Sequence, residues 1–315
     1  MYRIGIDLGG TNIAAGLVDE NGTLIHKDST PTNKNAKDTE IVYNMWELVS
    51  KIINDNNLQE NDIKSIGIGC PGSFDAEKGV IMLTVNLPFR QTPVREVFAK
   101  HTSIPVYLNN DGNCAALGEF IAGGAKNYKN SLTFTLGTGV GGGIIIDGKI
   151  YNGFNFAAGE LGHMVIRVDG EPCTCGRLGC FESYASASAL IRETVKSLKE
   201  NKSPVIAELC DEDPAKINAK TAFDAKRMGD PEGTRIVDEY IKNLGEGLIN
   251  YINIFQPEII LIGGGVSKEG EYLLEPLRNY INKFVYGSGL LDHTKIEIAL
   301  LGNDAGIIGA AMLDS

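Results

Sequence analysis

The first half of the chain alternates short apolar runs with glycine turns, and longer amphipathic periods dominate the second half. Residues 2–7 predict an apolar strand and residues 11–18 a second. Asp19-Glu20-Asn21-Gly22 then reads as an acidic Asn-Gly turn into a third strand at residues 23–25. Between residues 41 and 54, Ile41, Met45, Leu48, Val49, Ile52 and Ile53 recur at helical spacing, which predicts a helix with one apolar face. Residues 65–69 predict a buried strand ending at Cys70-Pro71-Gly72, and residues 104–108 a strand feeding Asn109-Asn110-Asp111. From Asp111 onward, Cys114, Leu117 and Ile121 continue at helical spacing.

The opening pattern then returns. Residues 131–136 predict a strand, Gly137-Thr138-Gly139 a glycine turn, residues 140–146 a strand, and Asp147-Gly148 a hairpin turn. Strand, Gly/Thr turn, strand, acidic-Gly turn is the same unit met at the N-terminus, an internal repeat that implies two similar α/β lobes. Helices are expected at residues 186–198, 221–228 and 235–255, the second with a Thr-x-x-Asp start at Thr221 and Asp224. Gln256-Pro257 stops the long one, residues 259–262 form a buried strand before Gly263-Gly264-Gly265, and a small-residue helix closes the chain at 305–312.

Composition narrows the class. With 315 residues, 43% hydrophobic and 22% charged, the chain has apolar mass for two cores. A net charge of −11 and the lack of a Lys/Arg stripe argue against nucleic acid as a partner. No apolar run approaches the ~20 residues that span a bilayer, and no targeting segment precedes the first strand, so the expectation is a cytoplasmic protein without a membrane partner. Thiols stay reduced in that compartment, and the six cysteines call for a role other than disulfides.

The glycines gather in clusters, as they do where backbone must approach a ligand. Asp7-Leu8-Gly9-Gly10-Thr11 and Leu136-Gly137-Thr138-Gly139 each end a strand, where free N–H groups and Thr hydroxyls can meet phosphate oxygens. Asp7 is placed to hold Mg²⁺, directly or through water. No Gly-x-x-x-x-Gly-Lys-Ser/Thr loop occurs, and no Rossmann fingerprint precedes a crossover helix. Gly264 and Gly265 end a third strand and are candidates for the base and ribose of a nucleotide. Cys173, Cys175 and Cys180, with His163 upstream, form a Cys₃His set that fills a tetrahedral zinc shell, so the metal is expected to be structural. Cys70, Cys114 and Cys210 read as small core residues, and His26, His101 and His293 as surface or packing histidines.

These motifs resemble the ROK family (repressors, open reading frames, kinases), and most closely its bacterial glucokinases. The resemblance is carried by Asp7-Leu-Gly-Gly-Thr11, Asn109-Asn-Asp111, Leu136-Gly-Thr-Gly139, Gly159-Glu-Leu-Gly-His163, Cys173-x-Cys-Gly-x-x-Gly-Cys180-x-Glu182 and Asn303-Asp-Ala-Gly-Ile-Ile-Gly309, almost the whole chain. It implies the α/β actin-like ATPase fold with two ribonuclease-H-like lobes and a zinc-binding loop. Residues 1–110 plus 303–315 would form the smaller lobe, and 111–302 the larger, with the zinc loop and nucleotide contacts. It also implies Asp111 as general base, and Asn110, Glu160, His163 and Glu182 as sugar ligands. Gly72 and Asn86, the latter in the segment Thr84-Val85-Asn86-Leu87-Pro88-Phe89, complete the expected sugar contacts. Gly9, Gly10, Thr11, Thr138 and Gly139 would meet phosphate, and Gly264 and Gly265 the nucleotide end.

The chemistry agrees with that assignment. A base at a helix start is favoured in its ionised form by the dipole, and carboxylates suit the hydroxyls of a sugar ring. The expected reaction is ATP-dependent phosphorylation of a hexose, glucose at its 6-hydroxyl first among the candidates, with Mg²⁺ and a structural Zn²⁺. N-acetylmannosamine kinase and fructokinase share much of the pattern. A non-catalytic sugar sensor is the reading from another class, and a repressor would need a DNA-binding segment for which no room is left before residue 2. Family habit implies a homodimer or homotetramer.

Overall fold

The computed structural model describes residues 1–84 and 86–314. β1 (Tyr2–Leu8), β2 (Asn12–Val18) and β3 (Leu24–Pro31) form an antiparallel meander, with Ile4 opposite Leu17 and Gly16 opposite Lys27. α1 (Asp38–Asp55) leads to β4 (Ile63–Cys70), which pairs with β1 in parallel. Every apolar position that set the helical period of α1, from Ile41 to Ile53, is buried against this sheet's core. Three short strands, β5 (Ser73–Asp75), β6 (Val80–Leu83) and β7 (Arg90–Thr92), make a separate small sheet. After α2 (Val94–Phe98), β8 (Val106–Asn110) joins β4 in parallel and runs straight into α3 (Asp111–Ala122). The sheet order is β3-β2-β1-β4-β8.

The same course is followed again. β9 (Ser131–Leu136), β10 (Val140–Ile146) and β11 (Lys149–Ile150) repeat the meander. The helices α4 (Glu182–Ala185), α5 (Ala187–Lys199), α6 (Pro204–Leu209), α7 (Thr221–Arg227) and α8 (Pro231–Phe255) precede β12 (Ile259–Gly263). α9 (Glu271–Phe284), β13 (Lys295–Ile298) and α10 (Ala305–Ala311) complete the chain. The second sheet is ordered β11-β10-β9-β12-β13, strand for strand the topology of the first, so the internal repeat is real at the level of the fold.

Local chemistry sets the helix ends. Ser186 caps α5 through the Ala189 N–H, and Asp230 caps α8 through the Gly233 N–H, with Pro231 at the first helical position. α8 stops at Gln256, whose φ of 44° breaks the helix just before Pro257. The capping box expected at Thr221 does not form: its hydroxyl accepts from the Asn218 N–H in the preceding turn instead.

The chain divides into two compact units, Met1–Thr133 with Gly142–Gly159 and Ala299–Ser315, and Phe134–Gly141 with Glu160–Ile298. The sequence division at Asp111 therefore differs from the observed one, because α3 belongs with the first unit. α10 packs on α3 and the first sheet backbone to backbone. A methyl on Gly309 would lie 1.7 Å from the Cys114 carbonyl oxygen, and one on Gly67 the same distance from that of Ala310. Glu119, fully buried in α3, accepts from the N–H groups of Gly124, Leu300 and Leu301 at 2.9, 3.1 and 2.7 Å, tying the end of α3 to the segment that enters α10. In the second unit, Phe134, Phe181 and Tyr251 pack ring on ring beneath the cysteine loop. Cys70, Cys114 and Cys210 are buried as expected, and His101 packs between Tyr43 and Trp46. Among the described residues no helix is long and apolar enough to cross a membrane.

Candidate active site

In the first unit the candidate residues sit at the ends of parallel strands. Asn110 ends β8 and caps α3, its side-chain oxygen accepting from the N–H groups of Gly112 and Asn113 at 2.8 and 3.3 Å. The capping duty thus falls on Asn110, and Asp111, the first helical residue, has one carboxylate oxygen with no hydrogen bond among the described residues while the other accepts from Gly112 N–H. Asn113, one helical turn on, donates to Asn109 and Asn152, a bracing ladder that sequence reading missed; the Asn109/Asn113 spacing was its only signal.

Charge is concentrated here. Asp7, near the end of β1, is half-buried, and its carboxyl is pushed up to about 6, chiefly by burial and then by the Asp111 charge, with Lys27 opposing. Lys27 is itself ion-paired with Asp304. The Asp111 carboxyl is also raised. Its outer face meets solvent while protein crowds its other sides, and this crowding outweighs the Gly112 N–H. The dipole at the helix start favours ionisation of this carboxyl, and burial acts against it.

Gly9 opens the turn between β1 and β2, its N–H donating to the Asn12 carbonyl at 3.0 Å, and Gly10 and Thr11 follow; among the described residues outside the turn itself, a methyl built on Gly10 would meet only the Lys34 side chain. Gly72 has φ +83° and packs against the Leu83 carbonyl, next to the loop in which Asn86 is exposed. Val85 of that loop lies outside the described residues.

The second unit gathers the remaining candidates. Thr138 and Gly139 form the turn between β9 and β10, held by Ser188, which donates to the Thr138 carbonyl at 2.7 Å. Gly264, with φ +84°, lies against the backbone of Leu136, so the ends of β9 and β12 meet and Gly265 faces open space. Glu182 bridges two motifs: one oxygen accepts from Val140 N–H at 2.9 Å, the other from the Thr174 hydroxyl at 3.1 Å. It therefore joins the glycine turn to the cysteine loop.

The ligand atoms of His163, Cys173, Cys175 and Cys180 all lie within 4.8 Å of one another. Nδ1 of His163 faces the Cys173 sulfur at 3.5 Å, and Nε2 lies 3.9 Å from the Glu160 carboxylate. The loop closes because Gly179, at φ +79°, runs so near Arg167 that a methyl there would overlap its carbonyl oxygen. Burial pushes the Cys180 thiol up to about 12, while the Arg177 N–H holds Cys175 below its ordinary range. The donor set suits a divalent ion of borderline softness and leaves one histidine nitrogen turned toward Glu160.

Comparison with known proteins agrees with this geometry. The profile of the ROK family matches residues 3–315. A glucokinase of Halalkalibacterium halodurans is 37% identical over 313 residues, covering 99% of this chain and 94% of the relative. A xylose repressor of Caldicellulosiruptor bescii is 31% identical over 97% of this chain but only 76% of its own length. The crystal structure of a ROK family glucokinase from Streptomyces griseus, in complex with glucose and AMPPNP, superposes with a TM-score of 0.81 at 33% identity, covering 99% of each chain. The actin-like ATPase architecture follows from these neighbours and from the duplicated sheet, and the chain belongs to the ROK family.

Proposed function

We propose that this protein is an ATP-dependent hexose kinase that transfers the γ-phosphoryl group to the 6-hydroxyl of glucose, with Asp111 as general base. The observation that carries the reading is the Asn110–Asp111 pair: the helix cap is made by Asn110, which leaves Asp111 with a raised carboxyl and one oxygen with no hydrogen bond among the described residues. A base whose pKa is raised above the ordinary carboxylate value is a stronger proton acceptor. Asp111 accepts the proton of the 6-hydroxyl as its oxygen attacks the γ-phosphorus; the O–P bond forms, the bond to the β-phosphate oxygen breaks, and ADP leaves.

The backbone N–H groups of Gly9, Gly10, Thr11 and Gly139, with the hydroxyls of Thr11 and Thr138, offer donors to the phosphates. Gly264 and Gly265 would border the nucleoside. Asp7, raised beside a second carboxylate, suits a divalent cation, and Mg²⁺ bound there would neutralise phosphate charge. His163, Cys173, Cys175 and Cys180 would hold Zn²⁺, whose part is to make the loop rigid. Glu160, His163, Asn110, Gly72 and Asn86 are the residues proposed to take sugar hydroxyls. Glu182, bonded to both the turn and the cysteine loop, would orient them as much as meet the sugar.

The test is ATP-to-ADP turnover with Mg²⁺ on glucose, mannose, fructose, N-acetylglucosamine and N-acetylmannosamine, for the native chain and Asp111→Ala. Glucose-dependent turnover that falls about 10²- to 10⁴-fold in the variant is the expected outcome. Preference for another sugar would replace the substrate, near-normal turnover of Asp111→Ala would remove Asp111 from the mechanism, and silence with every sugar would favour a sugar sensor.

A further inference from the structure

The glycine turn after β1 has no lysine of its own, yet the structure brings one to it from the next segment. Thr32, directly after β3, is clamped to the turn twice: its N–H donates to the Thr11 carbonyl and its hydroxyl to the Gly9 carbonyl, both at 2.8 Å. A tight turn follows. The Asn33 side chain accepts from Asn35 N–H at 3.1 Å, its carbonyl accepts from Ala36 N–H at 3.1 Å, and Ala36 is packed into the core. Lys34 stands at the apex of this doubly anchored turn. A methyl built on Gly10 would lie 3.7 Å from its ammonium nitrogen and 3.8 Å from its Cε, the only atoms within contact range of that position.

Lys34 is exposed at the apex of this turn, and among the described residues it makes no ion pair, whereas Lys27, a cation whose charge acts on Asp7, is paired with Asp304. The turn it stands over follows the strand that carries Asp7, whose carboxyl is raised by burial and then by the Asp111 charge, in a chain of net charge −11. A polyphosphate approaching those carboxylates is repelled unless cations meet it. Lysine suits that duty, since its ammonium is a point charge with three donors and no acceptor.

We propose that Lys34 is a phosphate-contacting residue, its ammonium donating to an oxygen of the ATP phosphate chain seated on the Gly9–Thr11 turn. The contact transfers no proton; it adds a charge that backbone N–H groups cannot supply. The proposal rests on the assignment of that turn to phosphate, and the experiment keeps the two apart.

Steady-state kinetics against MgATP at saturating sugar are compared for the native chain, Lys34→Met, Lys34→Arg and Thr11→Ala. Lys34→Met keeps the length of the stem and removes the charge. Its KM for MgATP should rise about tenfold to a hundredfold, the span expected for a charge-assisted hydrogen bond, with the sugar KM unchanged. Lys34→Arg should restore most of the loss, and added salt should narrow the gap between Met variant and native enzyme. If Thr11→Ala raises the MgATP KM and Lys34→Met leaves it within twofold, the turn binds phosphate and the role of Lys34 is refuted. If neither variant moves it, the turn assignment itself falls. An equal rise in the KM values of both substrates would mean a local rearrangement and would also count against the contact.

Discussion

Replacing Asp7 by asparagine should make the protein more stable and less active at once. The Asp7 carboxyl ordinarily loses its proton near 3.8 and in the folded chain near 6. The sign follows from linkage. Between those values the unfolded chain binds fewer protons than the folded one, so stability falls as pH rises. The protonated side chain's contribution is whole below about pH 3.8 and gone above the folded value. A displacement of roughly two pH units at ~1.4 kcal/mol each sets the cost of the ionised form at about 3 kcal/mol. An amide cannot ionise, so Asp7→Asn should be more stable by about 2–3 kcal/mol at pH 8, with the gain fading toward pH 4. The solvent access of a half-buried group puts the lower figure in range. Urea unfolding at pH 8, 6 and 4.5 in the presence of EDTA reads this directly, because the chelator keeps divalent cations from masking the charge. A variant less stable at pH 8, or a gain that does not shrink with falling pH, would refute the account of Asp7. On the proposed reading of Asp7 as a cation ligand, turnover should fall in the same variant.

Two further outcomes follow from named contacts. Glu119→Ala removes a fully buried acceptor from the part-buried N–H groups of Gly124, Leu300 and Leu301 and should destabilise the first unit by about 3 kcal/mol in urea unfolding; a loss under ~1 kcal/mol would mean that water replaces the carboxylate without strain. Cys175→Ser should lose the bound metal, read as zinc per chain by elemental analysis, and should raise the sugar KM through His163 and Glu160. If zinc content and sugar affinity both survive, the cluster is not a metal site.

Much of the fold was legible because burial writes simple periods into the chain. The face of α1 from Ile41 to Ile53, the strands of both meanders, and the stop at Gln256-Pro257 were all readable one segment at a time. The small sheet was not, since β5, β6 and β7 span three or four residues each, too few to show alternation. α9 was hidden in part by Pro276 inside it. The place of α3 was misread for a different reason. Gly118 and Gly309 permit the close approach that ties α3 to α10, and only the far end of the chain supplies the partner. At the site, residue types and turns were legible, but the upward shift of the Asp111 carboxyl was not, because the dipole can be read from position whereas desolvation comes from neighbours distant in sequence.

The repeat also explains why the two glycine turns need not do the same work. Both sheets deliver a strand end, a turn and a returning strand, so both can aim backbone N–H groups at an anion. Their side chains differ. The first copy ends in Asp7, with Asp111 raising it and Lys34 above the turn. In the second, Thr135 stands where Asp7 stands in the first, and the nearest carboxylate, Glu182, already accepts from Val140 N–H. A pair of neighbouring carboxylates would bind a cation or take up a proton, whereas a neutral turn braced by an accepting glutamate can only donate. Duplication of one backbone thus yields two glycine turns of the same course, and on the proposed reading substitution at a single strand position leaves cation and proton chemistry to the first of them.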